Sequence, residues 1–81
     1  MFKLTYAHCV ASKGTSKSEV YELRTILAQM FRVGGIPGMP EDTFEVRIDG
    51  DYYGSGETKE DAIENTVYEL MARSRREASE A

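Results

Sequence analysis

Three small groups of residues carry side chains that could do chemistry. His8 and Cys9 are adjacent and have the residue types of a nucleophile–base pair or of part of a zinc site. A cysteine activated by histidine needs both side chains within hydrogen-bond reach, whereas neighbours on a strand point to opposite faces. Two ligands also fall short of the four that a structural zinc takes. Asp49 and Asp51 flank Gly50 at a spacing used in calcium loops, but the other positions of that pattern are missing. Glu57, Glu60 and Asp61 could supply paired acids for hydrolysis. General acid–base work, however, needs a carboxyl perturbed by burial, and nothing in this polar stretch implies burial. The chain therefore reads as a non-enzyme with no catalytic residue, no metal and no cofactor.

The remaining use for these groups is binding. The formal net charge is −4, distributed unevenly. Residues 1–40 hold five basic groups against two acids, and residues 41–81 hold five against twelve. The acids of the second half, among them Glu41, Asp42, Glu45, Asp49, Asp51, Glu57, Glu60, Asp61 and Glu64, would create a negative field if they also gathered in space. Such a field steers toward a basic, nucleic-acid-binding cleft. Tyr52, paired across a hairpin with Arg47, offers flat apolar area with a polar tip. Ile36 and Met39, between the breakers of "VGGIPGMP", are apolar groups on a loop that can fold onto a partner.

These groups need a scaffold, and 81 residues with 41% apolar and 30% charged content make one domain around a single core. Stability is expected to be modest, which leaves homodimerisation open. One cysteine excludes an internal disulfide and suits a reducing, cytoplasmic compartment. The opening "MFKLTYAHCV" is too short and too polar to be a signal peptide or a membrane span.

Phe2-Lys3-Leu4-Thr5-Tyr6-Ala7 alternates as a strand, with Phe2, Leu4 and Tyr6 inward. Ser16 with Glu19 forms a capping box, and Val20, Leu23, Leu27, Met30 and Phe31 recur at helical spacing, so the pattern predicts a helix ended by Gly34-Gly35. Phe44, Val46 and Ile48 alternate as a second strand. Asp49-Gly50 suits a type I′ turn, and the returning strand should place Tyr53 opposite Val46 and Tyr52 opposite Arg47. Thr58 with Asp61 caps a second helix whose inner stripe is Ala62, Ile63, Thr66, Val67, Leu70 and Met71. Residues 72–81 are polar all round and should fray. The expectation is an α+β fold of order β-α-β-β-α, with a three-stranded antiparallel sheet and two helices on one face. The other face would show Lys3, Thr5, Glu45, Arg47 and Tyr52.

"FEVRIDGDYYGSGETKEDAIENTVYEL" resembles the closing β-β-α unit of double-stranded RNA-binding domains, with Phe44, Val46, Ile48, Gly50, Gly54, Gly56 and Ala62 in matching places. It is also similar to the hairpin-to-helix segment of HicB-type antitoxins, through Gly56, Thr58, Glu60, Ala62 and Asn65. RNA-binding members carry clustered lysines at the helix start, where this chain has Glu57, Lys59, Glu60, Asp61 and Glu64. A phosphate backbone is repelled there, so direct nucleic-acid binding through this surface is not expected. A strand precedes the first expected helix, whereas the RNA-binding family begins with a helix; the expected order also lacks HicB's unbroken run of strands. In type, the chain resembles small phage-encoded inhibitors such as anti-CRISPR proteins. The reading is a protein-binding module that blocks a nucleic-acid-handling protein. A HicB-like or RNA-associated regulator using Lys13, Lys17, Arg24 and Arg32, and an assembly subunit pairing through sheet edges, are the alternatives.

Overall fold

The structure, a computed structural model, describes residues 1–12, 18–34, 37–38 and 42–80. Four strands precede one helix: β1 Phe2–Ser12, β2 Glu19–Arg32, β3 Phe44–Ile48, β4 Asp51–Gly56 and α1 Lys59–Glu80. The strands form one antiparallel sheet in the order β1-β2-β3-β4. The fold is α+β, as expected, but with four strands and one helix.

The expected first helix is the strand β2. Its Ser16 cap lies outside the described residues. The stretch "EVYELRTILAQMFR" carries two periods at once: apolar groups every three or four residues, and an alternation of Leu23, Leu27 and Phe31 against Ile26, Ala28 and Met30. Val20, Tyr21, Thr25, Ile26 and Phe31 are β-branched or aromatic and favour the strand. The ladder decides between them. β1 is eleven residues long and β3 and β4 are five and six, so neither could satisfy its backbone groups. Only a long neighbour can, and β2 pairs with it from Phe2↔Ala28 to Ser12↔Glu19, with a bulge between Cys9 and Ala11. The last four residues of β2, Gln29 to Arg32, then pair with β3.

The second half follows its sequence signals. Asp49 and Gly50 both have positive φ, 53° and 84°, as the type I′ turn requires. Arg47 faces Tyr52, as expected, but Val46 faces Gly54. The irregularity at Val46/Arg47 leaves Tyr53 as the extra residue of a bulge. Tyr53 still packs on the core, and the Arg73 guanidinium lies 4.3 Å over its ring. Thr58 Oγ1 accepts the Asp61 N–H at 3.1 Å and starts α1.

The core lies between one sheet face and α1. Leu4, Tyr6, Ala28, Val46, Ala62 and Leu70 are buried, flanked by Phe2, Ile26, Met30, Phe44, Ile48, Ile63 and Val67. The inward groups expected on β1, β3 and α1 are all there. Close approach of α1 to β4 depends on two glycines: a Cβ at Gly54 would lie 2.7 Å from Thr66 Oγ1, and one at Gly56 would lie 2.6 Å from Asp61 Cβ. The end of α1 is helical through Glu80 rather than frayed from residue 72. Its anchor is Ser74, buried, whose Oγ accepts the Cys9 N–H at 2.9 Å and donates to Met71 O at 2.8 Å. At the other edge strand, Asn65 Nδ2 donates to Ser55 O at 2.7 Å. α1 thus fastens a backbone group of both edge strands. The molecule is elongated: its radius of gyration is 14.8 Å, against about 12 Å for a compact chain of this length.

Candidate protein-binding surfaces

The residues with possible chemistry are kept apart. His8 Nδ1 bonds the Tyr6 hydroxyl at 3.2 Å, with the rings edge to face. Cys9 is buried, and its thiol donates to Ala11 O at 3.6 Å. Both therefore have local partners instead of each other. Among the described residues no group of three His, Cys, Asp or Glu side chains could hold a metal ion.

The acidic residues form two groups. Asp49 and Asp51 are exposed at the tip of the β3–β4 hairpin, and Glu57, Glu60, Asp61 and Glu64 are exposed at the start of α1. β4 runs between them, and its six residues span roughly 17 Å. That exceeds the screening length of about 8 Å at physiological salt, so the groups act separately. None of the six carboxylates is in an ion pair among the described residues, whereas Asp42 is held by Arg32 at 2.7 Å and Glu45 by Arg47 at 2.8 Å. Glu41 lies outside the described residues. Glu60 and Glu64 stand one turn apart, with Asp61 next to Glu60 in the first turn, on a helix whose Ala62 and Thr66 face the sheet. Acid in a first turn also complements the positive helix end, which accounts for part of its presence. Lys59, the one cation among them, lies 5.9 Å over the Phe44 ring.

Arg47 and Tyr52 lie side by side on the open sheet face, as expected. Arg47 ties the hairpin together through Glu45 and the Gly50 carbonyl at 3.2 Å, and the Tyr52 hydroxyl bonds Ser55 Oγ at 2.9 Å. Ile36 and Met39 lie outside the described residues.

The sequence pattern, read as helical, concealed an exposed apolar surface on β2. The register places Lys3 and Thr5 of β1, Leu23, Thr25, Leu27, Gln29 and Phe31 of β2, Glu45 and Arg47 of β3, and Tyr52 of β4 on the face turned away from α1. Leu23 is 79% exposed, Leu27 54%, Tyr52 51% and Phe31 42%. The signal was the two-residue alternation of β2, whose outer set is as apolar as its inner set. A wide-mouthed cleft of about 720 Å³ lies elsewhere, lined by Phe2, Met30, Arg32, Phe44, Lys59 and Ile63. Its two cations are already engaged, Arg32 by Asp42 and Lys59 by Phe44. It lacks the convergent polar groups that orient a small ligand.

Tyr21 donates its hydroxyl to Glu19 Oε2 at the far end of β2. That bond, more than any other cause, holds the phenol above its ordinary pKa, because ionisation would break it and set two negative charges together.

The fold and surfaces define a small α+β protein, a four-stranded antiparallel sheet covered on one face by one helix. No family model, curated protein or solved structure matches the chain. No helix among the described residues is long and apolar enough to cross a membrane.

Proposed function

We propose that this chain is a non-enzymatic, cytoplasmic protein-binding module that occupies a basic surface of a nucleic-acid-handling protein, in the manner of small phage inhibitors. The supporting observation is the set of exposed carboxylates at the start of α1, Glu57, Glu60, Asp61 and Glu64, none held by an internal cation among the described residues. Unpaired charge on one end raises association rates with an oppositely charged partner and rejects phosphate. The hairpin-tip acids Asp49 and Asp51 add a second, separate contact. The test is capture of partners from the native cell with the full chain and with E60K/D61K/E64K as bait. A basic protein held by the first and lost by the second is expected, with association at low salt slowed at least tenfold. Equal capture by both baits would overturn the assignment.

The second reading is a HicB-like regulator, and one observation favours it. Among the described residues four strands precede α1 with no helix between them, which supplies the run of strands missing from the expected order. A version acting on RNA through basic groups meets cations that are already paired. Arg24 and Arg32 are paired with Glu22 and Asp42 at 2.9 and 2.7 Å, and Lys13 and Lys17 lie outside the described residues. A mobility shift with duplex RNA at physiological salt separates the two: a shift selects the RNA regulator, and its absence leaves the protein-binding module.

A further inference from the structure

Antiparallel sheets with one free face normally turn polar side chains to water. Here the free face carries Leu23, Leu27, Phe31 and Tyr52 in a band along β2 and across to β4. Together they expose on the order of 400 Å², within the range of the largest apolar patch on an ordinary monomer and well above scattered exposure.

The polar groups of this face are already satisfied by one another. Thr5 Oγ1 bonds Thr25 Oγ1 at 2.8 Å, Arg47 bonds Glu45 at 2.8 Å, and Tyr52 bonds Ser55 at 2.9 Å. Covering the face would strand none of them, and stranded polar groups are the main cost of burying a polar surface. The exceptions, neither with a side-chain partner among the described residues, are Lys3 on the edge strand β1, whose ammonium can stay in water, and Gln29, between Leu27 and Phe31. Its amide both donates and accepts, so it can pair with a copy of itself across a two-fold axis.

Charge points to the same occupant. The net −4 of the chain opposes self-association through most of its surface, yet on this face Glu45 is neutralised by Arg47, and the other charges, Lys3 on β1 and Glu19 at the far end of β2, are of opposite sign. Two copies meeting here turn their acidic ends outward.

We propose that the open sheet face is the interface of a two-fold homodimer, two sheets packed face to face with α1 on the outside of each. The apolar band, Thr5, Thr25, Gln29 and the stems of Lys3 and Arg47 give a footprint approaching the roughly 800 Å² per partner of a standard interface. This goes beyond the protein-binding role and does not depend on it, since the acids at the start of α1 are not part of the face. A dimer presents each acidic end twice, which strengthens attachment to a repeated or dimeric partner.

The test is sedimentation equilibrium of the full chain over a concentration series, alongside Leu23→Glu and Leu27→Lys. The wild type is expected at twice its 9.1 kDa at tens of micromolar, and each variant at half the wild-type mass with an unchanged far-ultraviolet circular dichroism spectrum. Leu23, the more exposed of the two, keeps the test valid if Leu27→Lys fails to fold. A wild type that stays at 9.1 kDa at every concentration overturns the proposal and leaves the face to a different protein. A dimer that persists in the folded Leu23→Glu variant also overturns it, and points to pairing through sheet edges.

Discussion

Residues 44–66 and residues 19–31 both supply strands to the same sheet, yet they use their apolar groups in opposite ways. In the first, β4 and α1 approach until glycine is the residue that fits at Gly54 and Gly56. In the second, half of the large side chains of β2 point away from the core. A helix laid on a sheet seals one face only, and α1 packs mainly on β1 and β4. Tight packing in one region and open apolar surface in the other therefore have one cause, a single covering layer.

The contrast breaks most visibly at Gly54. A valine there would push into Thr66 Oγ1 and the Thr66 backbone nitrogen, at 2.7 and 2.8 Å from the first added carbon. Backbone cannot yield cheaply, so urea denaturation of Gly54→Val should show a loss of about 3 kcal/mol or no folded state at all. A loss below about 1 kcal/mol would mean that α1 sits farther from β4 than described.

Next is Val46, fully buried at the centre of β3. Val46→Ala leaves a cavity and should cost about 2 kcal/mol in the same measurement. Leu23→Ala, an equally conservative truncation on the open face, should cost the isolated monomer less than about 0.5 kcal/mol. Equal costs would erase the distinction between the two faces.

Ser74 sharpens the comparison at the end of α1. Ser74→Ala removes the acceptor of the buried Cys9 N–H and should cost about 1–2 kcal/mol. Ser79→Ala, which removes an exposed bond to Arg75 O, should be near neutral. Indistinguishable variants would restore the expectation that the chain frays beyond residue 72.

The smallest effect concerns Tyr21. Its folded-state pKa is raised by the bond to Glu19 and the charge beside it. A raised pKa adds a stabilising contribution that is present below the unfolded value near 10 and fades as pH climbs through the folded one. Glu19→Gln should bring the late tyrosine ionisation, followed by ultraviolet absorbance, back toward the ordinary value. An unchanged titration curve would show that the contact is not populated in solution.

The second half was legible because its signals are local. Asp49-Gly50 needs positive φ, Thr58 caps the next turn, and Ala62, Thr66 and Leu70 repeat at helical spacing, so each element is implied by residues close together in the chain. Tyr53 was placed on the right side of the sheet but not in its bulge, because a bulge depends on how the partner strand and α1 pack. The candidate site was legible as a set of acids, and its division into two groups was not, since β4 separates residues that are near in sequence.

By itself the sequence determined the α+β class with its hairpin, its capped helix, its inward residues on β1, β3 and α1, and its acidic second half. The identity of β2 was decided only by tertiary structure, because "EVYELRTILAQMFR" satisfies the helical and the strand period alike. Local preference is worth tenths of a kcal/mol per residue in either direction. The unmet backbone bonds of an eleven-residue β1 are worth several times more in total, and only a neighbour distant in the chain could meet them.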